Sequence, residues 1–130
     1  MAGTFKFELV TPERMALSQD AAQVVVPGVE GDFTVLAGHA PVISALRPGI
    51  IDVTLPDASK TRIFVKGGFA EVDAGHLTVL AERALDVEAM DAATVAAELE
   101  TAQADLASAT DDAGRLAAAS AVERLRGLGR

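Results

Sequence analysis

A chain of 130 residues and 13.4 kDa has room for one modest core and an appendage, not for two enzymatic domains, since single cores claim about 100 to 200 residues. Half of it is hydrophobic and 23% is charged, the balance of a chain that folds, but without Trp or Tyr it has little from which to build aromatic binding platforms. A formal charge of -8 disfavours nucleic acid and anionic lipid as direct partners, and the absence of cysteine removes disulfides, thiolate zinc sites and thiol nucleophiles while suiting a reducing compartment such as the cytoplasm.

The amino terminus lacks a basic segment followed by an apolar run, so the fold is expected to begin at once. No stretch approaches the roughly 18 apolar residues of a membrane-spanning helix. From residue 5 to about residue 81, apolar residues come in short bursts of period two, as in Phe5-Lys6-Phe7-Glu8-Leu9 and Ile51-Asp52-Val53-Thr54-Leu55. Further bursts cover 22–26, 33–36, 42–46, 61–66, 69–72 and 77–80. Pro27-Gly28, Arg47-Pro48-Gly49, Leu55-Pro56-Asp57 and Asp73-Ala74-Gly75 supply the fixed or positive φ of tight reversals between them. Many short strands joined by tight turns predict an all-β sandwich or barrel over residues 1–86 and argue against a parallel sheet.

At about Asp86 the pattern changes: Gly and Pro vanish until Gly114, and about a third of the remaining residues are Ala, the best helix former. Asp91 reads as an N-cap, and Val95, Leu99, Ala102, Leu106 and Ala109 form one apolar stripe of an amphipathic helix. The segment from Thr110 to Gly114 breaks it. Leu116, Ala119, Val122 and Leu125 mark a second helix ending near Gly127, so residues 87–130 are expected to form an antiparallel α-helical hairpin. Seven acidic and no basic residues lie between Val87 and Gly114, whereas Arg115, Arg124, Arg126 and Arg130 follow it. That asymmetry predicts pairs across the hairpin, Glu98 with Arg126 and Glu100 with Arg124. Because an alanine interface buries little, the hairpin is expected to dock weakly, which leaves a detachable arm and a permanently packed hairpin both open.

The chemistry is sparse. His39 and His76 both fall in turns, and two histidines without cysteine or His-x-x-x-His spacing do not make a zinc set, so no metal is expected. Glu30 and Asp32 flank Gly31, and an extended segment would aim both carboxylates one way, as an acid and base pair requires. A solvated acidic loop accounts for them more simply. A hydrolase built from His39 and Asp32 would lack an orienting third group. Lys66-Gly67-Gly68-Phe69 matches no phosphate-loop pattern and reads as a bulge or close strand approach. Phe33 and Phe69 sit within apolar runs and read as core.

The run Pro27-Gly28-Val29-Glu30-Gly31-Asp32-Phe33-Thr34-Val35-Leu36-Ala37-Gly38-His39-Ala40-Pro41 resembles the signature of the ε subunit of bacterial F-type ATP synthases. Leu46-Arg47-Pro48-Gly49, Gly67-Gly68-Phe69-Ala70-Glu71-Val72 and Leu77-Thr78-Val79-Leu80-Ala81-Glu82 continue the resemblance in order and spacing over nearly the whole chain. It implies a ten-stranded β-sandwich and two helices, a noncatalytic rotor subunit in the central stalk between the γ subunit and the c-ring, peripheral on the cytoplasmic face of the inner membrane. It further implies that Glu30, Gly31 and Asp32 match the loop facing the c-ring, that His39 lies in the adjoining turn, and that the helical region can restrain ATP hydrolysis.

Two departures from that family concern the helices. Some members bind ATP through Asp-x-x-Arg-Ala at a helix start, but Asp91-Ala92-Ala93-Thr94-Val95 has neither the Arg nor the Ala, so no nucleotide cofactor is expected. The second helix is also short, leaving Arg115, Arg124 and Arg126 as the residues to meet the α and β subunits and predicting weak or absent inhibition. The competing reading is a stand-alone β-sandwich module for a peptide or sugar.

Overall fold

The computed structural model describes residues 3–13 and 15–128; Arg130 of the expected basic tail lies outside them. Ten strands run β1 (Phe5–Val10), β2 (Met15–Ala21), β3 (Gln23–Gly28), β4 (Gly31–Leu36), β5 (Val42–Ala45), β6 (Gly49–Thr54), β7 (Lys60–Lys66), β8 (Phe69–Asp73), β9 (His76–Leu80) and β10 (Arg83–Asp86). They make two five-stranded sheets, ordered β2-β1-β9-β8-β5 and β10-β7-β6-β3-β4. Strands β2 and β10 had no apolar burst to announce them. Both are edge strands, and an edge tolerates polar residues such as Ser18, Asp20, Arg83 and Asp86. The sheets are antiparallel except at one pair: β1 and β9 run in parallel, Lys6 opposite His76 through Val10 opposite Leu80.

Alternation decides which side of each strand faces the core. Phe5, Phe7 and Leu9 on β1, Ile51 and Val53 on β6, and Leu77 and Val79 on β9 are buried between the sheets. Strand β7 breaks the alternation, with Ile63, Phe64 and Val65 all buried. Ile63 and Val65 join the core between the sheets, whereas Phe64 belongs to a second cluster with the helices. A strand covered on both faces reads as a continuous apolar run.

Between β7 and β8 the chain turns through Gly67 (φ 65°) and Gly68 (φ 107°). A Cβ on Gly68 would lie 1.8 Å from the Leu80 carbonyl oxygen, so the paired glycines mark a close strand approach, as their sequence suggested.

After β10 a single 3-10 turn (Val87–Ala89) leads into α1 (Ala92–Ser108) and then α2 (Asp112–Gly127). Asp91 caps α1 by accepting from the Thr94 amide at 2.7 Å, and Asp111 caps α2 by accepting from the Gly114 amide at 2.7 Å. Gly114 is therefore inside the first turn of α2 rather than in the break before it. Of the stripe expected on α1, Val95, Leu99, Ala102 and Leu106 pack, and Ala109 is the residue that caps the helix end. On α2 the buried residues are Ala118, Ala121, Val122 and Leu125, an i, i+3, i+4, i+7 set. Leu116 is 73% exposed and Ala119 is exposed as well, because both fall on the opposite face of that stripe.

The hairpin lies docked on the outer face of the second sheet, where Phe64, Ile50 and Leu85 meet Val95, Leu99, Val122 and Leu125. Ser120 Oγ also donates to the Pro48 carbonyl at 2.8 Å. The pairing expected across the hairpin does not form among the described residues. Glu98 is held instead by Arg83 of β10, and neither Arg124 nor Arg126 makes an ion pair with Glu98 or Glu100. The acidic helix lies against basic residues of the sheet, and those are nearer than its partner helix's carboxy-terminal arginines.

Candidate functional site

The first candidate region is the β3–β4 hairpin. Gly28 and Gly31 stand opposite each other, leaving Val29 and Glu30 as the two loop residues. A Cβ on Gly28 would come 2.8 Å from the Gly31 carbonyl oxygen, and Gly31 has φ 133°, so both positions call for glycine. Val29 and Glu30 are exposed at the tip. The loop is nonetheless fixed from below. Arg47 donates from Nη1 to the Gly28 carbonyl and from Nη2 to Asp32 Oδ1 at 2.5 Å, while the Val29 amide donates to the Ala45 carbonyl at 3.0 Å. Asp32 is thus tied to Arg47, and its carboxylate is engaged in that ion pair. An acid and base pair is not what this geometry builds.

His39 lies in the β4–β5 connection, exposed, with its ring tilted 43° to that of Phe33 at a centroid distance of 6.4 Å. Its Nδ1 lies 2.6 Å from the Ala40 carbonyl, so this nitrogen carries the proton and donates. His39 and His76 line one crevice of about 10 Å³, space for at most a single water. His39 is hydrogen-bonded to the backbone and Asp32 to Arg47, so they do not form the catalytic pair considered from the sequence. Among the described residues no group of three or more His, Cys, Asp or Glu side chains is placed to hold a metal ion.

Sequence reasoning missed two features. One is Arg47, which lies 15 and 19 positions from its partners, a spacing no local pattern encodes. The other is an apolar row on the outer face of the first sheet. Register places Met15 opposite Val10, Val10 opposite Leu80, Leu80 opposite Phe69 and Phe69 opposite Ala45, which joins all five strands. Phe69, expected in the core, is 55% exposed because its neighbours Ala70 and Val72 take the inward side of β8. Beside it opens a groove of about 400 Å³ lined by Val10, Pro12, Phe69 and Leu80. Monomers seldom leave a contiguous apolar row uncovered on a flat sheet.

The arginines of the helices form no single cluster. Arg115 is in the first turn of α2 and pairs with Asp112 at 2.5 Å, while Arg124 and Arg126 occupy the last turn, where cations favour the helix dipole. At the start of α1 the Asp91 carboxylate is engaged in capping. Its hydrogen bonds from Thr94 hold its pKa below the ordinary 3.8.

The model of the ATP synthase delta/epsilon chain β-sandwich domain matches residues 4–87. The ATP synthase epsilon chain of Parvibaculum lavamentivorans is 46% identical over 128 residues, covering 98% of this chain and 97% of that protein. The epsilon chain of Maricaulis maris is 45% identical over 128 residues, with coverages of 98% and 96%. Among solved structures, a chain of the Euglena gracilis mitochondrial ATP synthase (OSCP, F1 and c-ring) matches with TM-score 0.74 and 28% identity, over 97% of this chain and 79% of that one. A chain of the Tetrahymena thermophila central stalk and c-ring structure shares the fold, with TM-score 0.66 at 16% identity, over 99% and 98%. Full-length identity of this order, on a ten-stranded sandwich that carries two helices, has one reading: the chain belongs to the ATP synthase epsilon-chain family.

Proposed function

We propose that this chain is a noncatalytic central-stalk subunit of an F-type ATP synthase, seated between the γ subunit and the c-ring, and that it helps couple proton-driven rotation to ATP synthesis. The observation that carries the reading is its match to epsilon chains from end to end. Geometry adds the means of contact. The Val29–Glu30 tip, braced by Arg47 through Gly28 and Asp32, faces the c-ring together with Gly31 and the adjoining His39. The apolar row from Met15 to Phe69 faces γ. A rigid scaffold presenting fixed loops is what transmission of torque requires.

The helical hairpin would modulate ATP hydrolysis at most weakly, through Arg115, Arg124 and Arg126 against the α and β subunits. Direct nucleotide regulation finds no support, since Thr94 and Val95 stand where the binding pattern has Arg and Ala and the Asp91 carboxylate is engaged in capping. Association with the cytoplasmic face of the inner membrane would be peripheral, through the complex; no described helix is long and apolar enough to span a bilayer. A free-standing sugar or peptide module would need aromatic side chains on its loops. Phe33 packs on the core and Phe69 lies on the flat sheet, so nothing here favours that reading.

Affinity-tagged chain drawn from detergent-solubilised membranes tests the proposal. Recovery of α, β, γ and c subunits is expected, and recovery of this chain alone would overturn it.

A further inference from the structure

Strands β7 and β10 bring Lys66 and Arg83 directly opposite each other. Like charges at opposed positions of a sheet repel, so the pairing needs anions nearby. They come from α1: Glu98 reaches Arg83, and Asp105 lies 3.8 Å from Lys66. These carboxylates are seven residues apart, two helical turns, and so share one face of α1. A third pair, Arg62 with Glu88 at 3.2 Å, repeats the polarity, with the cation on the sandwich and the anion on the helical segment.

The pairs differ in quality. Arg83 grips both oxygens of Glu98, Nε to Oε1 at 3.1 Å and Nη2 to Oε2 at 2.9 Å, and the Glu98 side chain is only 11% exposed. Two-pronged, partly desolvated pairs are directional and strong. The Arg62 and Lys66 pairs are more open to solvent and contribute less. Near the hairpin tip, packing is loose and the Ser120–Pro48 hydrogen bond is the direct tie from α2. A crevice of about 240 Å³ lined by Pro48, Lys66, Glu82, Asp105 and Gly114 separates the tip from the sheet. The apolar contacts beneath set the small Ala102 and Ala121 beside Phe64, Val95, Val122 and Leu125, which hold the hairpin to the sheet without direction.

We propose that Lys66 and Arg83 form a basic clasp that reads Glu98 and Asp105 on α1, with Arg83 as the positioning residue that fixes where the helical hairpin sits on the sandwich. The charges between the two helices play no part in that placement. Once unclasped, helices of 17 and 16 residues are marginal on their own, so release shows as loss of amide protection in both. The inference concerns the isolated chain and stands or falls independently of its place in a rotary complex.

Amide exchange on the full chain, read by mass spectrometry at about 0.1 M and about 1 M salt, tests it, since the screening length falls from about 10 Å to about 3 Å across that range. Arg83→Gln and Glu98→Gln are each expected to speed exchange in α1 and α2 about tenfold while leaving the sandwich strands unchanged, as loss of one charge-assisted pair implies. High salt should move the unmodified chain toward the variants. The exchanged pair, Arg83→Glu with Glu98→Arg, should recover most of the protection, and Arg83→Lys only part of it, because a point charge cannot make the fork. Arg124→Gln with Arg126→Gln should change nothing in the hairpin. Unaltered exchange in the single variants would overturn the proposal. So would failure of the exchanged pair to restore protection, or a tenfold acceleration from the α2 substitutions.

Discussion

Arg47 shows how one side chain can stiffen a loop that it does not itself belong to. By donating to the Gly28 carbonyl and to Asp32, it braces both sides of the β3–β4 turn. Arg47→Ala is expected to cost about 1 to 2 kcal/mol in urea unfolding and to weaken capture of partner subunits, whereas Glu30→Ala should affect capture alone. Gly68→Ala should be the more damaging change to stability, about 3 kcal/mol or more by the same measurement, because the new Cβ would meet the Leu80 carbonyl oxygen, which belongs to the backbone and has no rotamer to move aside. Asp91 carries a pH dependence. Its folded pKa is held below 3.8 by Thr94, so its stabilising contribution is complete above that value and is lost as pH falls through the folded pKa. Asp91→Asn, which keeps a capping oxygen without the charge, is expected to remove that acid dependence from the α1 amide signals in an NMR titration. Of these residues, the sequence disclosed the cap and the glycine pair through local spacing. Arg47 could not be read as a brace, since both of its partners come from a distant turn.

Strands that alternate cleanly, such as β1, β6 and β9, were legible because burial on one face writes a period of two into the residues. Strands β2 and β10 escaped notice because edge positions relax that requirement. On α2 the expected stripe was right at Val122 and Leu125 and wrong at Leu116 and Ala119, because Leu and Ala occur on both faces and apolar character alone did not say which side is covered. Phe64 was the least legible residue of all, since an apolar neighbour on each side hides the fact that it faces the other way. The covered face of β7 makes a prediction for the hairpin as an element. Removing residues 87–130 would bare Phe64, Ile50 and Leu85, and the shortened chain is expected to bind more of a hydrophobic dye than the full chain does. In the assembled complex, the same deletion should leave ATP hydrolysis little changed, given the short second helix. A large rise in the rate would show the arm to be a strong brake.

At the scale of the molecule, the two sheets are treated unequally. The second has its apolar outer row sealed by the hairpin, while the first leaves Met15, Leu80 and Phe69 open. Replacing Phe69 and Leu80 with Ser is expected to leave the unfolding free energy within about 0.5 kcal/mol of the original, as surface changes do, yet to abolish co-purification with γ. Unimpaired recovery of γ would move that contact to another face.

The parallel pairing of β1 with β9 also governs the order in which the protein can be made. As the polypeptide leaves the ribosome, its first strand has only β2 beside it, and its inner neighbour does not exist until residues 76–80 have been synthesised. Closure of the first sheet must wait for nearly the whole β region, the kind of late, long-range pairing that slows folding and exposes unfinished ladders. A nascent chain stalled before His76 would therefore present an open edge on β1, ready to capture a strand from another molecule.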